Sequence, residues 1–459
     1  MADATTSPDN LSKVFKAYDV RGIVGEQLDE DLARATGAAY VEVLGVDALV
    51  IGYDMRPSSP SLAGAFADGA TSAGADVTMI GLASTDQLYF ASGHLGLPGA
   101  MFTASHNPAP YNGIKMCRAH AQPVGMESGL AEIRDRVASG APAAAAGRVG
   151  SIGSHDVLQA YAAHLLALAP VEGRRIKVVV DAGNGMAGHT APAVFDRLAE
   201  RVEMVPMYFE LDGTFPNHEA NPIEPANLVD LQKRVLAEGA DIGLAFDGDA
   251  DRCFLVDERG ELVSPSTLTA LIAARELAKE PGATVIHNLI TSRAVPEIVT
   301  ELGGTPVRTR VGHSFIKARM AETDAIFGGE HSGHFYFRDF WRADSGMLAA
   351  LHAMAALAEA GVPLSELLAT YERYPLSGEI NSTVADQDAV LAAIESGWGA
   401  REGVSIDKLD GLSVSHADWA FNVRASNTEP LLRLNAEGKD EPTMARVRDE
   451  VLATIRGEQ

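Results

Sequence analysis

The sequence predicts an α/β protein in which three tandem related α/β domains with mostly parallel-type mixed sheets precede a C-terminal α+β domain. Two observations predict it. A repeat of short apolar strand, turn, amphipathic helix and second strand occurs three times along the 459 residues. Such alternation is typical of parallel sheets buried on both faces. Towards the C-terminus it gives way to short strands between two helices. The resulting count of four domains is one above the three expected at about 150 residues per domain.

The three repeats lie too far apart in sequence for a solenoid, and each is therefore interpreted as the centre of one domain. The strand, helix and strand predicted for each repeat are Ala48–Gly52, Ser61–Ala73 and Gly74–Ile80; Ile176–Val180, Ala191–Arg201 and Val202–Pro206; and Ala283–Ile286, Ala294–Leu302 and Gly304–Arg310.

The last domain is expected beyond Glu379, where the pattern changes. Its predicted strands are Leu412–Ser415, Ala420–Arg424 and Leu431–Leu434, and its predicted helices are Asp386–Ser396 and Thr443–Ile455. An alanine-rich linker, Gly140–Gly147, separates the first two repeats. We therefore expect domains at residues 1–150, 151–256, 257–370 and 371–459.

Composition excludes several classes of partner. The chain has 37 Lys and Arg against 62 Asp and Glu, a net charge of −25, which is unsuited to binding nucleic acid backbones. Two cysteines, Cys117 and Cys253, exclude a disulfide scaffold or a four-cysteine zinc site and fit a reducing compartment. The segment Met1–Leu11 lacks the apolar core of a signal peptide, and no apolar run approaches the ~20 residues of a spanning helix. We expect a cytoplasmic protein that binds neither nucleic acid nor membranes.

Three aspartates form the clearest chemical motif. Asp247, Asp249 and Asp251 directly follow the apolar strand Ile242–Phe246. In extended chain, alternate residues share one side, so the carboxylates converge and repel one another unless a hard cation such as Mg²⁺ binds them. A calcium loop of the EF-hand kind is disfavoured, because Arg252 stands where that loop needs glycine. The sequence therefore predicts a metal site rather than a solvated acidic turn.

A second polar turn, Thr103–Pro108, follows the apolar stretch Leu97–Phe102. A serine hydrolase is disfavoured, because the G-x-S-x-G elbow is absent and adjacent Ser105 and His106 rarely adopt triad geometry. Ser105 could instead carry a phosphoryl group that supplies oxygen ligands to a metal. An ordinary polar turn is an equally good interpretation of this segment alone.

Two further segments suit small polar ligands. Arg424–Pro430, with Arg433 nearby, combines hydroxyl, amide and guanidinium groups that could hold an anion, although a plain hairpin turn also fits. Gly329–His334 places Glu, Ser and His between glycines, which suits hydrogen bonding to a polyol or simply a flexible loop.

One glycine-rich segment indicates a different function. Gly183-Asn-Gly185-Met-Ala-Gly188 follows the strand Ile176–Val180, opens a helix and has Glu210 about 20 residues later, which matches a dinucleotide-binding fingerprint. The other repeats lack these glycines, and a nucleotide site leaves the three aspartates unexplained. A nucleotide-binding oxidoreductase is kept as a minor hypothesis.

These segments in this order, together with Phe15–Gly22, resemble the α-D-phosphohexomutase family, and in particular bacterial phosphomannomutases and phosphoglucomutases. The resemblance spans the chain from about Phe15 to the C-terminal helix. It implies three related α/β domains and a fourth of TATA-binding-protein-like topology around a central cleft.

The resemblance also implies roles for individual residues. Ser105 would carry the phosphoryl group, and a phosphoserine oxygen would join Asp247, Asp249 and Asp251 around one Mg²⁺ per chain. The residues implied near the reacting phosphate are Lys115 and Arg252. Tyr18 and Arg21 would line the same cleft, and His334 would lie close to the sugar. We expect Lys115 to be the general base, with His334 as second candidate.

The implied substrate contacts lie in the second half of the chain. Those for the sugar are His313, Lys317, Glu330 and Ser332, and those for the non-reacting phosphate are Arg424, Ser426, Asn427, Thr428 and Arg433. One departure is clear, because relatives often carry Lys where Ile290 stands, and this weakens any inference about sugar preference.

The implied reaction is reversible phosphoryl transfer between O1 and O6 of mannose phosphate, and also of glucose phosphate, through phosphoserine and a hexose 1,6-bisphosphate that serves as intermediate and activator. A phosphoglucosamine mutase is the alternative within the family, where Gln usually replaces His331. A non-catalytic sugar-phosphate-binding protein is the alternative outside it. The expected partners are small-molecule hexose phosphates, and the chain is expected to be a monomer or homodimer.

Overall fold

A computed structural model describes residues 4–140, 147–425 and 431–457. These residues form two compact units. The first unit contains the described residues up to Pro265 together with Ser332–Leu367, and the second contains Ser266–His331 together with the described residues from Leu368 onward. Within these described ranges no helix is long and apolar enough to cross a bilayer.

The first sheet has a parallel centre and an antiparallel edge. Its strands are β1 (Val20–Ile23), β2 (Ala48–Tyr53), β3 (Asp76–Leu82), β4 (Gly99–Phe102), β5 (Tyr111–Arg118), β6 (Gln122–Pro123) and β7 (Ile152–Ser154). They lie in the order β1-β5-β4-β2-β3-β7, with β6 beside β5. Strands β4, β2, β3 and β7 are parallel, whereas β5 is antiparallel to β1 and β4. The turns after β2 and β4 therefore leave the same edge of the sheet.

The helices of this part are α1 (Pro8–Val14), α2 (Glu30–Leu44), α3 (Ser59–Ser72), α4 (Thr85–Leu95) and α5 (Ala131–Ala138). Glycines allow α2 and α3 to pack backbone against backbone. A Cβ atom at Gly69 would lie 2.0 Å from the carbonyl oxygen of Arg34, and one at Gly37 would lie 2.2 Å from that of Phe66. Larger residues at either position would force the helices apart.

The second sheet carries the acidic motif at the end of a buried strand. Its strands are β8 (Ile176–Asp181), β9 (Val202–Met207), β10 (Ile242–Phe246), β11 (Cys253–Asp257) and β12 (Leu262–Val263), and its helices are α6 (Leu158–Leu168), α7 (Ala187–Phe195) and α8 (Val229–Glu238). The strand order is β12-β11-β10-β8-β9, with β8 parallel to β9 and β10. Strands β10 and β11 form an antiparallel hairpin whose turn is Asp247–Arg252.

The third stretch of chain is divided between the two units. Its strands are β13 (Thr284–Asn288), β14 (Thr305–Thr309), β15 (Phe327–Gly329), β16 (Phe335–Phe337) and β17 (Ala343–Asp344), and its helices are α9 (Pro265–Lys279), α10 (Ala294–Glu301), α11 (His313–Thr323), α12 (Gly346–Ala360) and α13 (Leu364–Leu368). In the second unit β13 lies between β14 and β15 and is parallel to both. The antiparallel pair β16–β17 and helix α12 belong to the first unit.

The last part is an antiparallel sheet covered by two helices. Its strands are β18 (Leu376–Thr383), β19 (Ser405–Asp407), β20 (Leu412–His416), β21 (Trp419–Ala425) and β22 (Leu431–Gly438), and its helices are α14 (Gln387–Gly399) and α15 (Glu441–Arg456). The strand order is β18-β22-β21-β20-β19. In its core Trp398 packs edge-to-face against Trp419 and Phe421, and Trp419 stacks on Phe421. These sheets confirm the predicted fold class.

The strands of the repeats are found close to the predicted positions, and the largest difference is a helix. The second repeat was expected to contain a helix over Ala191–Arg201, whereas α7 spans Ala187–Phe195 and ends in a short 3₁₀ turn, Asp196–Leu198. Gly188 lies in the first turn of this helix, where a Cβ atom would be 2.4 Å from the carbonyl oxygen of Phe209.

Candidate active site

The turn after β4 holds Ser105 in a fixed and strained conformation. Ser105 has a left-handed backbone, φ 50°, although it carries a side chain, and it is only 2% exposed. Its N–H donates to Thr103 Oγ1 at 2.9 Å. Non-glycine residues in this conformation are found at functional sites when surrounding contacts hold them there.

Arg56 supplies those contacts. Its guanidinium is fully buried and donates to four main-chain carbonyl oxygens of the turn, those of Ser105, Asn107, Pro108 and Tyr111, at 2.6–3.0 Å. Sequence reasoning missed Arg56. The available signal was a charged pair, Asp54 and Arg56, directly after a buried parallel strand, where ligand sites of α/β sheets commonly lie.

The acidic turn faces Ser105. Asp247, Asp249 and Asp251 are at most 1% exposed, and their ligand oxygens lie within 4.8 Å of one another. Ser105 Oγ donates a hydrogen bond to Asp247 Oδ2 at 2.8 Å. The structure thus brings together the two motifs that the sequence placed 142 residues apart.

The acidic turn has the features of a cation site. Asp249 Oδ1 and Asp251 Oδ1 are buried and accept no hydrogen bond in the described structure. Burial, with repulsion from Asp251 and Asp249, raises the pKa of Asp247 to about 8. Three buried carboxylates, two of which keep an oxygen that accepts no hydrogen bond in the described structure, are the donor set that a hard divalent cation requires, so these residues fit Mg²⁺.

Two cations lie against the same carboxylates. Lys115 Nζ is 2.7 Å from Asp249 Oδ2 and 2.6 Å from Asp251 Oδ2. Burial favours neutral Lys115, but the two carboxylates outweigh it and raise its pKa. Burial likewise opposes ionisation of Asp249, and Lys115 outweighs it and lowers the pKa of that carboxyl. Lys115 is therefore an ammonium ion in this arrangement.

Arg252 and Arg21 approach the turn of Ser105 from two directions. Arg252 Nε lies 3.4 Å from Asp247 Oδ2, and its Nη2 donates to His106 Nδ1 at 3.0 Å. Arg21 Nη1 donates to Ala104 O at 3.1 Å and to Asn107 Oδ1 at 2.5 Å. Burial, followed by the charge of Arg252, lowers the pKa of His106 well below its usual value, so that imidazole is neutral.

His334 also lies beside the acidic turn. It pairs with Arg252 in an isolated bridge, and its Nδ1 is 3.7 Å from Asp251 Oδ1 and 3.1 Å from Asp344 Oδ2. Burial lowers the pKa of His334, but Asp251 and Asp344 outweigh it, and the net shift is upward. Asp344 was not anticipated, since it is ten residues away in sequence and reaches His334 only through the β16–β17 hairpin.

Tyr18 precedes β1 and is half-buried beside Gly125. Ser332 belongs to the first unit and is half-buried.

The second unit holds the remaining candidates. Glu330 is 2% exposed and its Oε1 accepts from Asn288 Nδ2 and from the N–H of Gly312, both at 3.2 Å. Gly312 precedes α11, which begins at His313 and carries buried Lys317. Asn288 was missed, and its position at the end of buried strand β13 was the signal for it.

Arg424 and Arg433 face each other on β21 and β22 and share Glu379, at 3.1 and 3.4 Å. The expected anion-binding residues Ser426, Asn427 and Thr428 lie outside the described residues. Ile290 and Arg293 line a cavity of about 140 Å³ in this unit. Arg293 Nη1 donates to His416 O and Ala417 O, both at 3.1 Å.

The glycine-rich segment serves packing. A Cβ at Gly185 would lie 2.7 Å from the carbonyl oxygen of Gly248, and Met186 N donates to that oxygen at 2.9 Å. The backbone of the acidic turn therefore fills the position that a pyrophosphate would need, and this disfavours the nucleotide-binding hypothesis.

Comparison with known proteins agrees with this geometry. Models of the phosphoglucomutase/phosphomannomutase alpha/beta/alpha domains I, II and III and of the C-terminal domain match residues 12–143, 159–260, 264–374 and 379–454. Phosphomannomutase of Salmonella montevideo is 44% identical over 450 residues, which cover 96% of this chain and 98% of that protein. The chain belongs to the phosphoglucomutase/phosphomannomutase family.

Other members show the same extent of similarity. Phosphomannomutase of Escherichia coli (strain K12) is 41% identical over 451 residues, which cover 97% of this chain and 99% of that protein. The solved phosphoglucomutase/phosphomannomutase family protein of Burkholderia thailandensis is 32% identical, with a TM-score of 0.87 and 97% of each chain covered. Membership confirms the resemblance drawn from the motifs and the enzyme class that it implies, the hexose phosphate mutases.

Proposed function

We propose that this family member is a phosphomannomutase that also accepts glucose phosphates, and that it transfers a phosphoryl group between O1 and O6 through phosphorylated Ser105 and a hexose 1,6-bisphosphate. The observation that carries the proposal is the 2.8 Å contact between Ser105 Oγ and Asp247 Oδ2. It supports the proposal because it brings the Ser105 hydroxyl against a cluster of carboxylates suited to a cation, inside a turn that Arg56 holds. A simple polar turn would need none of these features.

Asp247, Asp249 and Asp251, with an oxygen of phosphorylated Ser105, would hold one Mg²⁺ per chain. The support is the burial of the three carboxylates and the two oxygens among them that accept no hydrogen bond in the described structure. Bound Mg²⁺ would neutralise carboxylate charge and polarise phosphoryl oxygens.

The chain's own cations serve phosphoryl transfer directly. Lys115 donates into the carboxylate cluster around Ser105, the Arg252 guanidinium forms an ion pair with Asp247, and Arg21 fixes the far side of the same turn. Phosphoryl transfer depends mainly on alignment and neutralisation of developing negative charge. These three residues are therefore assigned to positioning and charge neutralisation.

The proton of the attacking sugar hydroxyl needs an acceptor. Lys115 was the first candidate, but contact with two carboxylates holds it protonated. His334 is oriented by Asp344 through Nδ1, which leaves its other ring nitrogen for a substrate hydroxyl. We therefore favour His334 as general base and assign Lys115 to the phosphate.

For substrate recognition we keep the residues implied by the family. Tyr18, His313, Lys317, Glu330 and Ser332 would contact the sugar, and Arg424, Ser426, Asn427, Thr428 and Arg433 would hold the non-reacting phosphate. The support is the buried, hydrogen-bonded carboxylate of Glu330 and the pair of arginines on neighbouring strands. A cytoplasmic setting is supported by two buried cysteines that are not in a disulfide.

Steady-state kinetics with mannose 1-phosphate, glucose 1-phosphate and glucosamine 1-phosphate would test the substrate class. We expect the highest kcat/KM for mannose, a lower but measurable value for glucose, and little turnover of the amino sugar. A clear preference for glucosamine would make the chain a phosphoglucosamine mutase.

The role of Ser105 has a separate test. Ser105→Ala should lose almost all turnover. Ser139→Ala should keep it, because Ser139 is exposed at the C-terminal end of α5. Intact-mass measurement before and after phosphatase, with peptide mapping, should find phosphate on Ser105. A fully active Ser105→Ala enzyme would overturn the proposal, and absence of turnover in the wild type would favour a non-catalytic binding protein.

A further inference from the structure

We propose that Asp86 is a positioning residue that fixes two parts of the candidate active site relative to each other, the acidic turn through Thr85 and His334 through Ser345. The inference rests on the proposed function, since it assigns Asp86 a part in the same reaction. Nothing in the sequence pattern marks Asp86, which lies in the first turn of α4.

Asp86 is a completely buried carboxylate that accepts three hydroxyl hydrogen bonds. Tyr161 Oη donates to its Oδ2 at 2.7 Å, Ser345 Oγ donates to the same oxygen at 2.6 Å, and Ser84 Oγ donates to Oδ1. The four residues are each 0% exposed. The three donors come from the three predicted α/β domains, so Asp86 lies where these domains meet inside the first unit.

The first connection runs to the acidic turn. Thr85 adjoins Asp86, its Oγ1 donates to Asp249 Oδ2 at 2.6 Å, and its N–H donates to Asp249 O at 2.9 Å. Both the side chain and the main chain of Asp249 are thus held by the residue next to Asp86. A shift of Asp86 would move the carboxylate that also contacts Lys115.

The second connection runs to His334. Ser345 N–H donates to Phe335 O at 3.0 Å, and Phe335 directly follows His334. Asp344 directly precedes Ser345, and its Oδ2 lies 3.1 Å from His334 Nδ1. Ser345 therefore fixes both the backbone beside His334 and the carboxylate that orients the imidazole.

The arrangement suits a carboxylate: burial raises the pKa of Asp86 to about 7, and its three hydroxyl donors favour the ionised form. Ser84 and Ser345 are the N-cap residues of α4 and α12, and their hydroxyl oxygens accept from Gln87 N and Leu348 N at 3.2 and 3.0 Å. Each hydroxyl hydrogen is then free to go to Asp86. A carboxylate can accept hydrogen bonds from all three hydroxyls, whereas the single oxygen of an amide can accept only two. A negative charge is also favoured at the N-termini of the two helices.

Asp86→Asn tests the proposal with almost no change in shape. We expect kcat on mannose 1-phosphate to fall about 10- to 100-fold, as displacement of catalytic groups by a fraction of an ångström does. KM should stay within about twofold, because the proposed substrate contacts are untouched. An unchanged kcat would overturn the proposal.

Tyr161→Phe is the matched control, because it removes a hydrogen bond from the same carboxylate on the side that leads to α6 and not to the acidic turn or His334. It should keep kcat within about twofold of the wild type. An equal fall in kcat for both variants would mean that Asp86 only stabilises the fold.

If Asp86→Asn does not fold, Ser345→Ala tests the second connection alone: kcat should fall, and Ser345→Thr should restore it. Normal kcat in Ser345→Ala would then overturn the proposal.

A double-mutant cycle separates failure of this inference from failure of the proposed function. If Asp86 acts through His334, Asp86→Asn should reduce the residual kcat of His334→Ala much less than it reduces that of the wild type. Fully additive losses would overturn the connection. If Ser105→Ala and His334→Ala both keep full activity, the proposed function is wrong, whereas their inactivation beside a fully active Asp86→Asn enzyme would reject only the role of Asp86.

Discussion

Replacing Gly248 by alanine tests the spacing between the acidic turn and the turn of Ser105. Gly248 lies between two of the aspartates, and a Cβ atom there would be 2.5 Å from the carbonyl oxygen of Ser105. Ordinary contact begins at 3.4 Å, so the two turns would have to separate by about 0.9 Å. The oxygen of Ser105 cannot retreat easily, because Arg56 Nη2 donates to it at 2.9 Å and is itself buried.

This separation would lengthen the Ser105–Asp247 contact on which the proposed reaction depends. A misplacement of about 1 Å costs roughly 10²-fold in rate, and overpacking costs about 1–3 kcal/mol of stability. We expect kcat on mannose 1-phosphate to fall roughly 10²-fold. Thermal melting should show that the variant protein remains folded.

Gly64→Ala is the control, since Gly64 lies within α3 with nothing within 4 Å of its Cβ position. It should keep full kcat and gain roughly 0.5–1 kcal/mol from helix propensity. Wild-type kcat in Gly248→Ala would refute the reasoning, because it would show that the close approach of the two turns is not needed.

Three further predictions concern charge and ligands. Lys115→Met should reduce kcat at least about 10²-fold, measured against the exposed control Lys233→Met, because it removes a cation from the phosphoryl site; equal kcat values would contradict it. The raised pKa of Asp247, about 8 against ~3.9 unfolded, means that the metal-free folded chain binds an extra proton between these values. In urea melts with chelator, the free energy of unfolding of the wild type, measured relative to Asp247→Asn, should therefore fall from pH 5 to about pH 8. A rise over this range would contradict the prediction. Equilibrium dialysis should find no NAD binding, because main-chain atoms lie against Gly185 and Gly188; tight binding would revive the dinucleotide hypothesis.

The sequence predicts the parts of the site that depend on local spacing. Asp247, Asp249 and Asp251 follow a buried strand at alternate positions, so their convergence is a local property of the chain. The repeated strands are found for the same reason, since β2, β8 and β13 each contain a short apolar run next to a turn. Membership of the family was predictable because several such local motifs occur in one order.

Residues that act through distant partners could not be found this way. Arg56 contacts carbonyl groups about 50 residues away, and Asp86 meets Ser345 259 residues later. Gly188 is a further case, because the local pattern places it in a dinucleotide-binding fingerprint, whereas in the structure its Cβ position lies against the carbonyl oxygen of Phe209. The division of the third stretch between two compact units could not be predicted either, because it depends on where β16, β17 and α12 pack.

The burial of Ser105 has a consequence for how the enzyme first becomes active. A protein kinase needs its target residue in an accessible, extended segment, but Ser105 is 2% exposed in a turn pinned by Arg56. A small phosphorylated sugar that diffuses into the site can reach this hydroxyl where another enzyme cannot. Under the proposed function, freshly synthesised chains should therefore remain idle until a doubly phosphorylated hexose primes them, which would link the onset of activity to the supply of that metabolite.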